Sequence, residues 1–288
     1  MEMTDDIEIK EKNRVEGGTL YLVATPIGNL ADMSDRAAKV LREVDFIAAE
    51  DTRVTAKILH YLGISKPQIS YHEHNKRSCG EVLISRLKAG ESCALVTDAG
   101  TPAISDPGQD MVRLCVDNAI PVTAVPGPCA LIDALILSGM DTRRFLFEGF
   151  IEQTGRARTD YLRELSGQKR TVIFYESPHD LKDTLRQLLD IFGNRHIALC
   201  RELTKRNEEI FRTDLEGACA YYASHTPRGE YVLVVEGMIA EEIFWENMSV
   251  REHVDFYMRE EGMTKMDASK AVARDRGVSK SVIYKALL

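Results

Sequence analysis

Cys93-Ala94-Leu95-Val96-Thr97-Asp98-Ala99-Gly100-Thr101-Pro102-Ala103-Ile104-Ser105-Asp106-Pro107-Gly108 is an apolar strand that breaks into a long Gly/Pro loop carrying two carboxylates. Glycines at 100 and 108 allow backbone conformations and close approaches closed to other residues, while Pro102 and Pro107 fix their own φ angles. In open α/β sheets, ligands lie beyond the carboxyl ends of the strands, which is where Asp98 and this loop fall if 93–97 is a strand. The plainer reading is a tight connection in which Asp98 caps a turn.

The pattern around this stretch alternates. Apolar runs at 19–24, 45–49, 68–71, 93–97 and 121–125 are separated by helical patterns at 34–44, 52–62, 79–88 and 107–118. This βαβ grammar predicts an N-terminal α/β domain over 19–127, ending at the Pro126-Gly127-Pro128 hinge. A second α/β domain is expected over 128–240, with strands near 145–150, 171–176, 196–203 and 230–236 and helices at 154–166, 178–192 and 214–224. From Trp245 only helical texture remains, and Ala271 to Tyr284 reads as a helix, a glycine turn and a second helix. The fold expected is therefore α/β, two successive α/β domains with a small helix-turn-helix-like tail over 245–288. Residues 1–18 are polar and aperiodic and read as a disordered extension.

At 288 residues the chain is long enough for two domains, and its 44% hydrophobic content supports real cores. No apolar run reaches the roughly 20 residues needed to cross a bilayer, and the acidic start is unlike a signal peptide, so a cytoplasmic protein without a membrane partner is expected. Cysteines 79, 93, 115, 129, 200 and 219 form no CxxC pair, which argues against a zinc site or a disulfide framework, and no metal is expected. A net charge of −8 weakens indiscriminate adhesion to nucleic acid but leaves room for a local basic groove. The tail is less acidic than the body, with eight Lys/Arg against seven Asp/Glu. A nucleic-acid contact and a dimerisation or packing cap both fit it.

The chain has no GxGxxG after a strand, no phosphate-binding GxxxxGK[ST], no HExxH and no GxSxG, so the usual nucleotide, zinc-protease and serine-hydrolase chemistries lose their support. Polar and flexible groups instead gather at predicted strand ends: Thr25-Pro26-Ile27-Gly28-Asn29, Glu50-Asp51-Thr52-Arg53, His72-Glu73-His74-Asn75, the Asp98 loop, Pro126-Gly127-Pro128 and Tyr175-Glu176-Ser177-Pro178.

Four of these in order, Leu22 to Leu30, Ala49 to Arg53, Asp98 to Gly108 and Phe174 to Pro178, resemble the tetrapyrrole-methylase superfamily, and within it the branch that modifies small-subunit ribosomal RNA. The resemblance covers 19–240 and implies an S-adenosylmethionine-dependent enzyme, a homodimer, that methylates a cytidine 2′-hydroxyl in the decoding region of 16S rRNA, as free RNA or within the small ribosomal subunit. It implies a cofactor cleft between the two α/β domains, lined by Pro26, Ile27 and Gly28, by Asp98, Ala99, Gly100, Thr101, Ala103 and Ile104, by Pro126 and Ala130, and by Tyr175 and Glu230. Backbone N–H groups there would bind a carboxylate, and acids would favour a sulfonium cation.

Methyl transfer to a hydroxyl needs in-line positioning and a proton acceptor. The candidates are Glu50, Asp51 and His74, with Arg53 to clamp phosphate or pair with an acid and Asn75 to bind the ribose. Helix capping by the acids and a solvated loop histidine are the structural alternatives. Glu176 reads as an orienting carboxylate. Arg36, Lys76, Arg77, Arg156, Arg158, Lys169, Arg170, Lys205 and Arg206 are candidate phosphate contacts. Competing functions are methylation of a tetrapyrrole or a protein, and a non-catalytic RNA-binding assembly factor.

Overall fold

The structure is a computed structural model that describes residues 14–151, 153–238, 245 and 248–287. The described residues up to Met238 form one compact unit and those from Trp245 a second.

The first half holds five short strands, β1 (Leu20–Val23), β2 (Phe46–Ala49), β3 (Gln68–Ser70), β4 (Cys93–Val96) and β5 (Val122–Val125). They form one parallel sheet in the order β3-β2-β4-β1-β5. Its helices are α1 (Asp35–Glu43), α2 (Thr52–Tyr61), α3 (Lys76–Lys88) and α4 (Gly108–Asp117). Alternate residues of each strand face opposite cores, as the two-residue period of a strand requires. Tyr21, Val23, Ile47, Ala49, Ala94 and Val96 pack under α1 and α2, whereas Leu20, Phe46, Ala48, Cys93 and Leu95 pack under α3 and α4. Burial on both faces explains why β1, β2 and β4 read as continuous apolar runs.

That placement of helices fixes where a ligand can sit. The chain leaves β1 over one face and leaves β4 over the other, although β1 and β4 are neighbours. Their carboxyl ends diverge and open the crevice at which α/β sheets bind ligands.

The second half continues with α5 (Ala130–Ser138), β6 (Phe145–Phe150), α6 (Gly155–Ser166), β7 (Thr171–Glu176), α7 (Leu181–Phe192), β8 (His196–Arg201), β9 (Glu209–Asp214), α8 (Leu215–Ser224) and β10 (Tyr231–Val235). The sheet order is β6-β7-β10-β8-β9, with β6 and β7 parallel and the other neighbours antiparallel. Val172, Phe174, Ile197, Leu199, Leu233 and Val235 face α6, α7 and α8, while Ile173, Ala198, Cys200, Val232 and Val234 face α5. Phe174 is fully buried in the larger of these cores. Phe174→Ala is expected to lower stability by about 3–5 kcal/mol; a urea midpoint equal to wild type would contradict this packing.

Two elements, α5 and β9, have no counterpart in the sequence reading. Residues 14–18 also depart from the extension expected there. Gly18 donates its N–H to Gly90 O and Glu91 O at 3.0 and 3.1 Å, Glu16 donates to the Tyr21 hydroxyl at 2.8 Å, and Val15 packs on the α1/α2 core. Residues 1–13, the rest of that extension, lie outside the described residues.

The second unit contains α9 (Val250–Glu260), α10 (Lys265–Asp275) and α11 (Lys280–Ala286). Val254, Ala268, Val272, Ala273 and Ile283 form its core. A Ser249–Glu252 capping box starts α9, and Gly277, at φ +63°, makes the turn between α10 and α11. The buried His253 ring stacks between Trp245 and Tyr257 and faces Asp275 at 3.3 Å. No helix among the described residues is long and apolar enough to cross a membrane.

Candidate active site

The loops after β1, β4 and β5 are sewn together at the crevice. Thr25 and Gly100 exchange both backbone hydrogen bonds, at 2.9 and 3.1 Å, and the Thr25 hydroxyl donates to Thr97 O. The Thr101 hydroxyl donates to Pro128 O at 2.9 Å. Gly100 lies at φ +85°, and a Cβ there would stand 3.3 Å from Ile27 Cγ2. At Gly127 a Cβ would meet that of Ala24 at 2.8 Å, so neither glycine tolerates a side chain without displacement.

The rest of the Asp98 loop winds around one acid. Asp106 accepts N–H bonds from Ala103, Ile104 and Gly108 at 3.0, 3.1 and 2.7 Å. This pull holds Ala103 and Ser105 at positive φ, +69° and +60°, which a non-glycine residue adopts only when its surroundings impose it. It also corrects the expectation of free N–H donors here, since the amides of Gly100, Ala103 and Ile104 are already engaged. These positions can shape a ligand pocket by carbonyls, side chains and close backbone approach.

At the end of β2, Glu50 and Asp51 separate into two roles. Asp51 caps α2 by accepting from Arg53 N, and the Arg53 guanidinium grips its carboxylate at 2.6 Å. Arg53 holds that carboxyl down at about 2, so Asp51 is a poor proton acceptor. Glu50 is half-buried, and burial pushes its pKa above the ordinary value, with Asp98 and Asp106 adding like-charge repulsion. Asp98 receives the Asp51 N–H at 3.0 Å and is likewise raised by burial. Two acids with raised pKa thus stand side by side at the crevice.

The β3 end behaves differently from the sequence expectation. The Asn75 amide donates to Ser70 O at 2.9 Å and accepts from His72 N at 2.8 Å, so it ties the turn. His74 is exposed and stands edge-on to the His72 ring, with centroids 5.9 Å apart. His72, which sequence reasoning passed over, is nearer the chemistry. Tyr71 N donates to Ala49 O, which sets the next residues, His72 and Glu50, on adjacent strand ends, and His72 Nδ1 is buried without a hydrogen-bond partner among the described residues.

The second sheet supplies an apolar wall. Tyr175 packs edge-on against Phe147 and tilted against Phe150, with ring centroids 4.9 and 5.5 Å away. Burial pushes its hydroxyl up to about 12, so it stays neutral. Ile27, Ala130, Phe147 and Tyr175 belong to one apolar cluster. A bulge in β6 puts Gly149 against Ser105, where a Cβ would stand 2.9 Å from its Oγ, and so sets Phe150 beside the loop carrying the exposed Ile104. No sequence signal marked Phe147 or Phe150, because each reads as an ordinary strand aromatic.

Behind the first turn, Gly28 presses on the β8–β9 connection, its missing Cβ only 2.3 Å from Lys205 Cγ. Lys205 pairs with Glu202 at 2.8 Å and with the exposed Glu230 at 2.7 Å. Glu230 therefore lies at the edge of the site near Gly28, its carboxylate already engaged by Lys205. Four of the candidate phosphate contacts likewise have partners within the chain: Lys205; Lys76, with Glu73 and Asp110; Arg156, with Asp160 at 3.6 Å; and Arg158, with Gln187 and Ile151 O. Arg158 also approaches the buried Glu176, whose carboxylate accepts from the Thr184 hydroxyl and Ser177 N; burial raises its pKa. Glu176 is a structural pin between β7 and α7.

A parallel sheet with its crevice at β1/β4, joined to a mixed sheet through Pro126–Ala130, is the architecture of a known class. The family profile of the tetrapyrrole (corrin/porphyrin) methylases matches residues 19–219, and the chain belongs to that family. Within it, the chain is 48% identical to ribosomal RNA small subunit methyltransferase I of Halalkalibacterium halodurans, over 95% of this chain and 96% of that one. The proteins of the same name from Bacillus subtilis and Escherichia coli O157:H7 are 45% and 41% identical, each over 93% of this chain and 94% of theirs. In fold, the chain is similar to uroporphyrin-III C-methyltransferase of Thermus thermophilus complexed with S-adenosylhomocysteine (TM-score 0.54, 17% identity, covering 75% of this chain and 96% of that one). It is also similar to a cobalt precorrin-4 methyltransferase (TM-score 0.56, 16% identity, 76% and 95%).

Proposed function

We propose that this protein is an S-adenosylmethionine-dependent methyltransferase that methylates the 2′-hydroxyl of a cytidine in 16S ribosomal RNA. The observation that carries the reading is full-length similarity to ribosomal RNA small subunit methyltransferase I in a chain that sets one half-buried carboxylate, Glu50, at its crevice. Free RNA and the small ribosomal subunit are both substrates to be tested, and the cytoplasm is the compartment where either is found.

The residues present fit the cofactor. Gly100 and Gly127 let the crevice loops close tightly on Ile27 and Ala24 and so fix the shape of the crevice, Tyr175, Phe150 and Ile104 offer an apolar wall for a base, and Asp98 and Glu50 place negative charge near a sulfonium. S-adenosylmethionine, when bound, would supply a sulfonium-borne methyl that an oxygen nucleophile takes in line, the C–O bond forming as the C–S bond breaks and its electron pair stays on sulfur in the departing thioether. Glu50 takes the proton released by the attacking hydroxyl, and its raised pKa suits it to hold that proton at neutral pH better than an ordinary carboxylate.

The homodimer belongs to the same reading. It is supported by an apolar face of α5, where Ile132 and Ile136 are 41% and 64% exposed. Sedimentation is expected to give twice the mass of the chain.

The test is incubation with methyl-labelled S-adenosylmethionine and unmodified small subunits, free 16S rRNA or a porphyrin precursor, followed by mapping of the label. Label on one cytidine 2′-oxygen supports the reading. Label only in the porphyrin moves the substrate to a tetrapyrrole carbon.

A further inference from the structure

At the far end of the second sheet from the candidate active site lies a groove of about 890 Å³ that the chemistry above leaves unused. It is bordered by Arg143 and Arg144, just before β6, and by Lys169 and Arg170, just before β7. The parallel pairing of Phe145 with Thr171 brings these two sequence-distant pairs together. All four side chains are exposed. The one carboxylate in the lining, Asp141, is already held by Arg143 at 2.8 Å, and the Ser166 carbonyl at the end of α6 is capped by Arg195. Among the described residues, no acid pairs with Arg144, Lys169 or Arg170. A lining net charge of +3 on a chain of net charge −8 is a strong local departure.

We infer that this groove binds the phosphodiester backbone of the RNA substrate away from the nucleotide that is methylated. The inference rests on the proposed function, because it takes RNA as the substrate. Three chemical features favour a backbone over a small anion. The groove has more room than one phosphate fills, it is open rather than enclosed, and it combines planar guanidinium forks with a lysine point charge. Its position carries the rest. At about 3.3 Å per residue, β7 sets the groove on the order of 17 Å from Glu176 and the Tyr175 wall, so a ligand that engages both must be large. A folded ribosomal RNA reaches across that span.

The experiment compares wild type with Arg144→Gln/Lys169→Gln/Arg170→Gln. Affinity for unmodified 16S rRNA is measured across a salt series, and methylation kinetics are measured on 16S rRNA and on a short oligonucleotide carrying only the target site. Loss of three phosphate contacts is expected to make the slope of log affinity against log salt shallower by about 2–3. KM for 16S rRNA should rise at least tenfold, with kcat within twofold and the short substrate unaffected. An unchanged slope and KM on an RNA that wild type methylates would overturn the groove and leave the proposed function standing. A wild type that methylates no RNA removes the proposed function itself, and the salt slope then judges the groove alone. A fall in kcat on both substrates would place the effect in the fold and also reject the inference.

Discussion

Glu50→Gln is expected to lower kcat by about 10²- to 10⁴-fold while S-adenosylmethionine binds as before. The substitution keeps the shape and the acceptor oxygen facing Asp98 N, and removes only the ability to take a proton. The pH profile identifies the group. A base must be ionised to act, so wild-type activity should fall on the acid side with an inflection above the ordinary glutamate range, where burial and the neighbouring acids put this carboxyl. In the Glu50→Gln enzyme that inflection should vanish from the residual activity. Stability moves the opposite way: a raised folded pKa means that the charged form is disfavoured on folding, so Glu50 costs stability as pH rises through that pKa. The glutamine variant is thus expected to be at least as stable at neutral pH. Full turnover in Glu50→Gln would pass the proton to another group, with His72 next in line.

Gly100→Val is expected to weaken S-adenosylmethionine binding by at least about 100-fold, or about 2.7 kcal/mol. Valine is a poor occupant of φ +85°, its added carbons meet Ile27 and Pro128, and the strain of about 1–3 kcal/mol falls on the two hydrogen bonds to Thr25. Gly100→Ala, with the same φ but less bulk, should lie between. Calorimetric titration reads both. A folded valine variant with wild-type affinity would exclude this loop from the cofactor site.

Much of the fold is legible because its strands are buried on both faces. Leu20–Val23, Cys93–Val96 and Tyr231–Val235 stand out as unbroken apolar runs. Strand β9 does not, since Glu209–Asp214 is a partly exposed edge strand with charged residues at both ends. Helix α5 is hidden by the Pro126-Gly127-Pro128 run that precedes it, which reads as a hinge although the next residues pack on the second sheet. In the site, the loops are recognisable from their glycines and prolines, but the division of labour is not. Only the folded chain shows that Asp51 is paired with its own neighbour Arg53, that Asn75 ties a turn, and that His72 stands beside Glu50. Those facts depend on strand pairing or side-chain direction, and adjacent letters do not encode them. The basic groove is the same case, since Arg144 and Lys169 meet only because β6 lies beside β7.

The exchange of hydrogen bonds between Thr25 and Gly100 has a bearing on what the chain can become. Two loops that follow parallel strands are locked in antiparallel register over a single residue pair, so neither can lengthen by one position without unzipping the other. Insertions between Val23 and Gly28, or between Val96 and Thr101, should be rejected in any selection for function. Among the described residues, the connection at 72–75 makes no backbone hydrogen bond to these loops. A change of substrate would then be written into that connection, around a crevice whose dimensions stay constant.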